Sequence, residues 1–431
     1  MNLYLARYLL PISAPPIEDG ALLVDNGRIA AIGRRRDLLV GFSGDVVNFG
    51  DAVLLPTLVN AHTHLELTHF PRWAKRAGET GKPATFVDWL LHLIHVKRDV
   101  TPAEQTAAIN DGLLWCLQSG TGAIGDILSR LIFPPAYAES PLYGRVFFEL
   151  LGLDPEVWGV SLDRAAALLS GDHFGNLQPG LAPHALYSLS QQAMSRIFAA
   201  ACRQGWPLTT HFAESHEESR LVQDASGELL ERLYPAVGWQ DQRPAARGCS
   251  PTVCLDRLGG LHSGNLLVHG VQVSIADAQL LAERSVTVAL CPRSNERLGV
   301  GTAPVAAYRA AGVKLALGTD SLASNDSLSM WDELAAAKRH YGAHLCPGEL
   351  LAMATRNGAE ALGLKGEMGT LQAGFGAHFQ VLSLRNPPSL AELEEALCSS
   401  GCDTQPSAVY LDGIERLQAI VGQEPGVMGR R

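Results

Sequence analysis

The chain alternates between two textures. From about residue 55 to 365, short apolar runs are each followed by a longer stretch with apolar residues at helical spacing. Eight runs read as strands: 53–60, 122–127, 145–150, 180–184, 207–211, 265–269, 286–290 and 314–319. Strands separated by helices pair in parallel. Eight of them predict an α/β fold closed into a (β/α)8 barrel, with its chemistry at the C-terminal strand ends. The chain ends read differently. Residues 1–54 are β-like runs broken by turns, with Asn26-Gly27 as a hairpin signal, and "GTLQAGFGAHFQVLSL" at 369–384 has the same texture. The expected organisation is a TIM-like barrel over 55–365 and a small β-sandwich domain assembled from 1–54 and 366–431.

Composition narrows the partners. Of the 431 residues, 47% are hydrophobic and 18% charged, enough apolar surface for a large core. The net charge is −10 and no basic run exceeds Arg34-Arg35-Arg36, which argues against nucleic acid and anionic membranes as partners. No secretory signal and no apolar stretch near bilayer-spanning length is evident, so a soluble, cytoplasmic protein is expected. Eight irregularly spaced cysteines fit a reducing compartment; neither close pair, Cys249/Cys254 nor Cys398/Cys402, is joined by a second at zinc-site spacing. The terminal "GQEPGVMGRR" reads as a disordered tail.

The strand ends carry the chemistry. His62 and His64 follow the first strand, His184 ends the fourth, His211 the fifth and His269 the sixth, and Asp320 ends the eighth. In a barrel these ends converge on one mouth. His-x-His on an extended segment sends both imidazoles to one side, because side chains alternate with period two. With His211 and Asp320 they make a shell of three nitrogens and an oxygen, suited to one divalent metal ion, zinc or alternatively iron, with a position left for water. Taken singly, these residues have plainer readings: a hydrogen-bonded core histidine for His211, a helix N-cap for Asp320. It is their coincidence at strand ends that speaks for a metal. Histidines 69, 92, 95, 173, 262, 340 and 344 follow no strand end and are expected to be surface or packing residues.

Glu214, three residues after His211, reaches the same mouth. A metal lowers the pKa of a bound water, which then attacks a planar electrophilic carbon. Such an attack needs one group to protonate a ring nitrogen and another to take a proton from the water. Glu214 and Asp320 are the candidates for those tasks.

The motifs "PTLVNAHTHLE", "THFAES", "LVHG", "CPRSN" and "LGTDSLASND" together resemble the amidohydrolase superfamily, in its branch of hydrolytic deaminases and chlorohydrolases. Within that branch, "HTHLE" and "TDSLASN" look most like deaminases of aminodeoxyfutalosine and of S-adenosylhomocysteine or methylthioadenosine. The resemblance implies that His62, His64, His211 and Asp320 bind one metal, that Glu214 shuttles a proton to the ring nitrogen, and that His269 hydrogen-bonds the attacking water. It implies a single metal because "GLAPHALYS" places His184, not a carboxylated lysine, at the end of strand four. It makes His184 a substrate contact, and Glu66, Arg293, Ser294, Asn295, Ser321 and Asn325 candidates for orienting base and ribose. Glu66 has an alternative role, holding a ligand histidine.

The implied activity is hydrolytic deamination of an adenine-type nucleoside derivative, with a small-molecule substrate and a homodimer as one assembly the family uses. A related hydrolase with another leaving group, a guanine deaminase and a scaffold without chemistry are the alternatives, the last disfavoured because every ligand position is filled. The chain departs from the family at Gly374-Phe375-Gly376-Ala377-His378, where Gly-Lys-x-Ala-Asp is usual, and in the long connection 234–260. That connection and the segment 72–99, through Trp89, are expected to cover the mouth.

Overall fold

The computed structural model describes residues 1–79, 81–171, 174–401 and 404–417. His173, Cys402 and the expected tail lie outside the described residues.

The N-terminal segment lays down β1 (Asn2–Leu9), β2 (Ile17–Asp25), β3 (Arg28–Arg34), β4 (Asp45–Asn48) and β5 (Ala52–Pro56). Asn26 and Gly27 turn β2 into β3 with both φ angles positive, 48° and 75°, as a two-residue hairpin requires. The barrel strands come next: β6 (Leu58–Thr63), β7 (Thr121–Leu128), β8 (Tyr143–Leu150), β9 (Leu177–Pro183), β10 (Leu208–Phe212), β11 (Asn265–His269), β12 (Thr287–Leu290) and β13 (Lys314–Leu317). The chain then returns to the first sheet with β14 (Phe379–Ser383), β15 (Ala408–Leu411) and β16 (Ile414–Glu415). That sheet runs β16-β15-β14-β5-β1-β2-β3, with β4 on β1, so one small domain is built from both chain ends. Its core includes Tyr4 and the stacked rings of Phe379 and Tyr410, whose centroids are 4.4 Å apart.

The barrel is parallel from β6 to β13 in chain order. It closes at the residues that matter: a bridge pairs Thr63 with Asp320, and the Asp320 N–H donates to the His62 carbonyl at 3.0 Å. First and last strands are thus locked together beside their own functional side chains.

One expectation is corrected. The apolar run 53–60 is two strands. β5 pairs antiparallel with β14 and belongs to the small sheet, whereas the barrel begins at Leu58. Pro56 lacks an N–H and ends the first ladder. Both strands are buried on both faces, so no polar alternation marks the handover. Among the described residues no helix is long and apolar enough to cross a membrane. The described cysteines are all free.

Candidate active site

At the C-terminal mouth, ligating atoms of His62, His64, His211 and Asp320 lie within 4.8 Å of one another. Each comes from an end of β6, β10 or β13, and the barrel's curvature makes them converge. The His62 and His64 Nε2 atoms each lie 3.5 Å from Asp320 Oδ1, and the Nε2 atoms of His64 and His211 face each other at 3.3 Å. Burial pushes all three imidazoles below their ordinary range, so they are neutral and their nitrogens are available as ligands. Burial alone would raise Asp320, but His62, His64 and His269 outweigh it and hold the carboxylate well below its usual range.

The fit to a divalent cation rests on an orphan. His62 Nε2 is buried without a hydrogen-bond partner, as one of three nitrogens gathered with one carboxylate oxygen. That donor set is one that zinc and iron both take. Asp320 offers Oδ1 to this centre because its Oδ2 is already used: Ser294 and Ser324 donate their hydroxyls to it at 2.6 and 2.7 Å. Its backbone is left-handed, with φ of 58°, as is that of His269, with φ of 71°. Non-glycine residues adopt that conformation at a cost, which the surrounding hydrogen bonds sustain.

Glu214 and His269 face each other, Oε1 to Nε2, at 3.6 Å. His269 is oriented by Asn295, whose Oδ1 lies 3.0 Å from Nδ1, so the ring presents Nε2 to the mouth. Glu214 is held through its backbone: its N–H donates to Glu218 Oε2 at 3.0 Å. Burial, reinforced by the charge of Asp320, raises the Glu214 carboxyl well above the usual range and so favours its protonated form. An acid that favours its proton thus sits beside an ionised carboxylate, an arrangement that divides donor from acceptor.

These groups form the floor of a cavity of about 450 Å³. Its upper wall is mostly apolar: Trp89, Leu90, Leu93 and Ile94 from the helix Phe86–Lys97, with Leu233, Val237 and Trp239 from the connection after β10. The helix is fixed by the Thr85/Asp88 capping box and by Trp89, whose indole N–H donates to the Ala323 carbonyl at 3.1 Å.

The chain matches the description "Amidohydrolase family" over residues 53–415. It belongs to the amidohydrolase family. It is 31% identical over 401 residues to a 5-methylthioadenosine/S-adenosylhomocysteine deaminase of Nitratidesulfovibrio vulgaris, covering 86% of this chain and 80% of that protein. It is 29% identical over 354 residues to an aminodeoxyfutalosine deaminase of Deinococcus radiodurans, covering 80% and 81% of the two chains. Its fold superposes on a zinc-bound adenosine deaminase of Xanthomonas campestris with a TM-score of 0.80 and 25% identity, over 98% and 96% of the chains.

In this amidohydrolase the expected substrate contacts divide into two groups. Trp89, His184, Ser321 and Glu66 line the cavity. Ser294, Asn295, Asn325 and Arg293 do not. Ser294 holds Asp320 and Asn295 holds His269. Asn325 donates to the Thr319 carbonyl at 2.8 Å and to Glu333, and Arg293 pairs with Asp326 and Asp332. Ser294 and Asn295 stand on the helix Pro292–Leu298 that follows β12, and from it they hold Asp320 and His269.

Glu66 holds no histidine either: it accepts from Lys97 at 2.9 Å and from the Ser129 hydroxyl and N–H at 2.6 and 3.1 Å. Of the histidines set aside, His69 pairs with Asp111 at 2.7 Å, away from the mouth. Sequence reasoning passed over Lys97, Tyr187, Trp239 and Glu149, all on the cavity wall. Glu149 stands in β8 one residue from its end, in "VFFELL", where the strand-end rule applied to histidines would have found it had acids been counted too.

Proposed function

We propose that this amidohydrolase is a zinc-dependent hydrolytic deaminase of an adenine-type nucleoside derivative, of the aminodeoxyfutalosine or S-adenosylhomocysteine/methylthioadenosine class. The observation that carries the reading is the juxtaposition of Glu214 and His269 with the four ligating groups His62, His64, His211 and Asp320 on the floor of one cavity. Relatives that deaminate such nucleosides support the substrate class, and the zinc-bound structure together with the N3O donor set supports the metal.

A divalent ion held by His62, His64, His211 and Asp320 would, when bound, acidify a water so that it gives up a proton near neutral pH. The chain's own groups do the rest. Asp320 and His269 accept hydrogen bonds from the water and aim its oxygen at C6. As that oxygen adds, one water proton passes to His269 and Glu214 gives its own proton to ring N1, neutralising the negative charge that would develop on the ring; His269, 3.6 Å from Glu214, then restores the acid. Asp320 takes the remaining water proton and delivers it to the amine. The C6–N bond breaks, ammonia leaves and a C6 carbonyl remains. Trp89, Leu90, Leu93 and Ile94 of the helix Phe86–Lys97 give the cavity that would receive the substrate an apolar wall.

Ammonia release is measured against aminodeoxyfutalosine, S-adenosylhomocysteine, methylthioadenosine and adenosine, with guanine and a chlorotriazine as controls. Turnover of an adenosine derivative with Glu214→Gln at least about 100-fold slower and unchanged in metal content is the expected result, in line with loss of general acid catalysis. Silence across the adenosine set by metal-loaded protein overturns the substrate class.

A further inference from the structure

The mechanism leaves one buried carboxyl beside Glu214 unused. Glu218 is fully buried on the helix His216–Asp224, four residues after Glu214. That helix starts with the sequence of a capping box, Ser215-His216-Glu217-Glu218, and the Ser215 hydroxyl accepts the Glu218 N–H at 3.2 Å. In such a box the acid at the third position reaches back to the N-cap residue's own N–H. Thr85/Asp88, Thr101/Glu104 and Ser274/Asp277 close in that way. Glu218 reaches one residue further, and its Oε2 accepts the N–H of Glu214 at 3.0 Å. Its Oε1 is buried with no hydrogen-bond partner in the protein. A half-satisfied carboxyl in the interior is a costly way to start a helix, so its place is explained by the bond that it makes to Glu214.

That bond completes a clamp. The Ala213 carbonyl and the Glu214 N–H are the two ends of one planar peptide. The carbonyl end accepts the N–H groups of Val271 and Gln272, at 2.9 and 2.8 Å, from the chain that follows His269. The N–H end is held by Glu218. The plane needs holding, because Ala213 is left-handed, with φ of 47°, a conformation that a residue other than glycine keeps only where its surroundings impose it. A rotation of this plane changes φ of Glu214. Releasing the N–H therefore lets the Glu214 side chain change direction and lose its place 3.6 Å from His269 Nε2.

We infer that Glu218 is a positioning residue for the acid: by holding the N–H end of the 213–214 peptide it fixes the direction in which the Glu214 side chain leaves the backbone, and so the aim of its proton at the ring. The inference rests on the role proposed above for Glu214. Glu218 does not line the cavity and acts through one backbone bond. That bond needs an acceptor oxygen at the right reach, not a charge, and an amide oxygen supplies one as well as a carboxylate does.

The test measures kcat, KM and metal content for the metal-loaded wild type, Glu218→Gln, Glu218→Asp and Glu218→Ala, with the nucleoside of the panel above that the wild type turns over fastest, and repeats Glu218→Asp in the Glu214→Gln background. Glutamine keeps the acceptor and is expected to keep kcat within about threefold of the wild type. Aspartate keeps the charge but falls one methylene short; it and alanine are expected to lower kcat at least about tenfold with KM and metal content unchanged, as misaiming a reacting group does. In the Glu214→Gln background Glu218→Asp costs nothing further, because the group it aims is already gone. Wild-type kcat in the aspartate and alanine variants, an equal loss in both backgrounds, or a loss of metal overturns the inference. So does a glutamine variant no faster than the aspartate variant, since charge and not reach would then matter. If the alanine variant does not fold, the aspartate and glutamine variants carry the comparison. Glu214→Gln with wild-type kcat, or a wild type that deaminates none of the panel, overturns the proposed mechanism, and the role of Glu218 with it.

Discussion

Single hydroxyls decide how well the metal site is made. Asp320 has two oxygens and two tasks, and the division depends on Ser294 and Ser324 occupying Oδ2. Without one of them the carboxylate can rotate, and its left-handed backbone is supported by one bond fewer. Hydrogen bonds to a charged group contribute roughly 1.5–3 kcal/mol, and partners of metal ligands typically account for 10–100-fold in affinity. Ser294→Ala and Ser324→Ala are therefore each expected to weaken zinc binding by about tenfold or more, measured by competition with a chromophoric chelator. Wild-type affinity in both would mean that packing alone sets the carboxylate. The same residues show where reading a sequence fails. "CPRSN" marks the right place in the chain, but whether Ser294 faces substrate or faces Asp320 depends on how the helix Pro292–Leu298 is rotated against the barrel. A motif fixes proximity; it does not fix direction.

At the scale of elements, the strands were legible because apolar runs and ligand-bearing ends recur along the chain, and seven of the eight barrel strands lie within a few residues of their expected places. The eighth was blurred where β5 and β6 merge in one apolar run, since burial on both faces erases the polar alternation that would separate them. The cover of the mouth was legible as a segment but its attachment was not: Glu66 and Lys97 are 31 positions apart, and nothing in either motif announces the pair. That ion pair ties the end of the helix Phe86–Lys97 to the chain just past the metal ligands. Burial would raise Glu66, but Lys97 and Ser129 outweigh it and keep it ionised; Glu66 and Glu149 in turn keep Lys97 charged. Breaking one side of a buried pair leaves the other uncompensated. Glu66→Gln is expected to raise KM several-fold and to speed amide exchange across 86–97, with metal content unchanged. Unaltered exchange there would show that Trp89 and the capping box suffice to hold the helix.

For the whole molecule, the site's chemistry has a consequence for stability. Burial lifts Asp126, Glu218 and Glu333 to about 8 and Glu149 to about 7, whereas in an unfolded chain such carboxyls titrate near about 4. Between those limits the folded state holds more protons than the unfolded state. Stability therefore falls as pH rises through that window, by up to about 1.4 kcal/mol per pH unit for each proton of difference. Histidines act in the opposite sense at lower pH. Burial pushes His184 to about 4 and also lowers His262 and His378, so below about 6.5 the unfolded chain gains protons that the folded one refuses. The two slopes meet near pH 6.5. Above it the carboxyls dominate the proton difference between the two states, so the melting temperature of chelator-treated protein should decline steadily from pH 6.5 to 8 in calorimetric scans. Asp126→Asn, which has no proton to gain or lose, should make that decline shallower whatever it does to the melting temperature itself. A melting temperature that is flat or rising over this range would mean that these buried carboxyls are ionised in the folded protein.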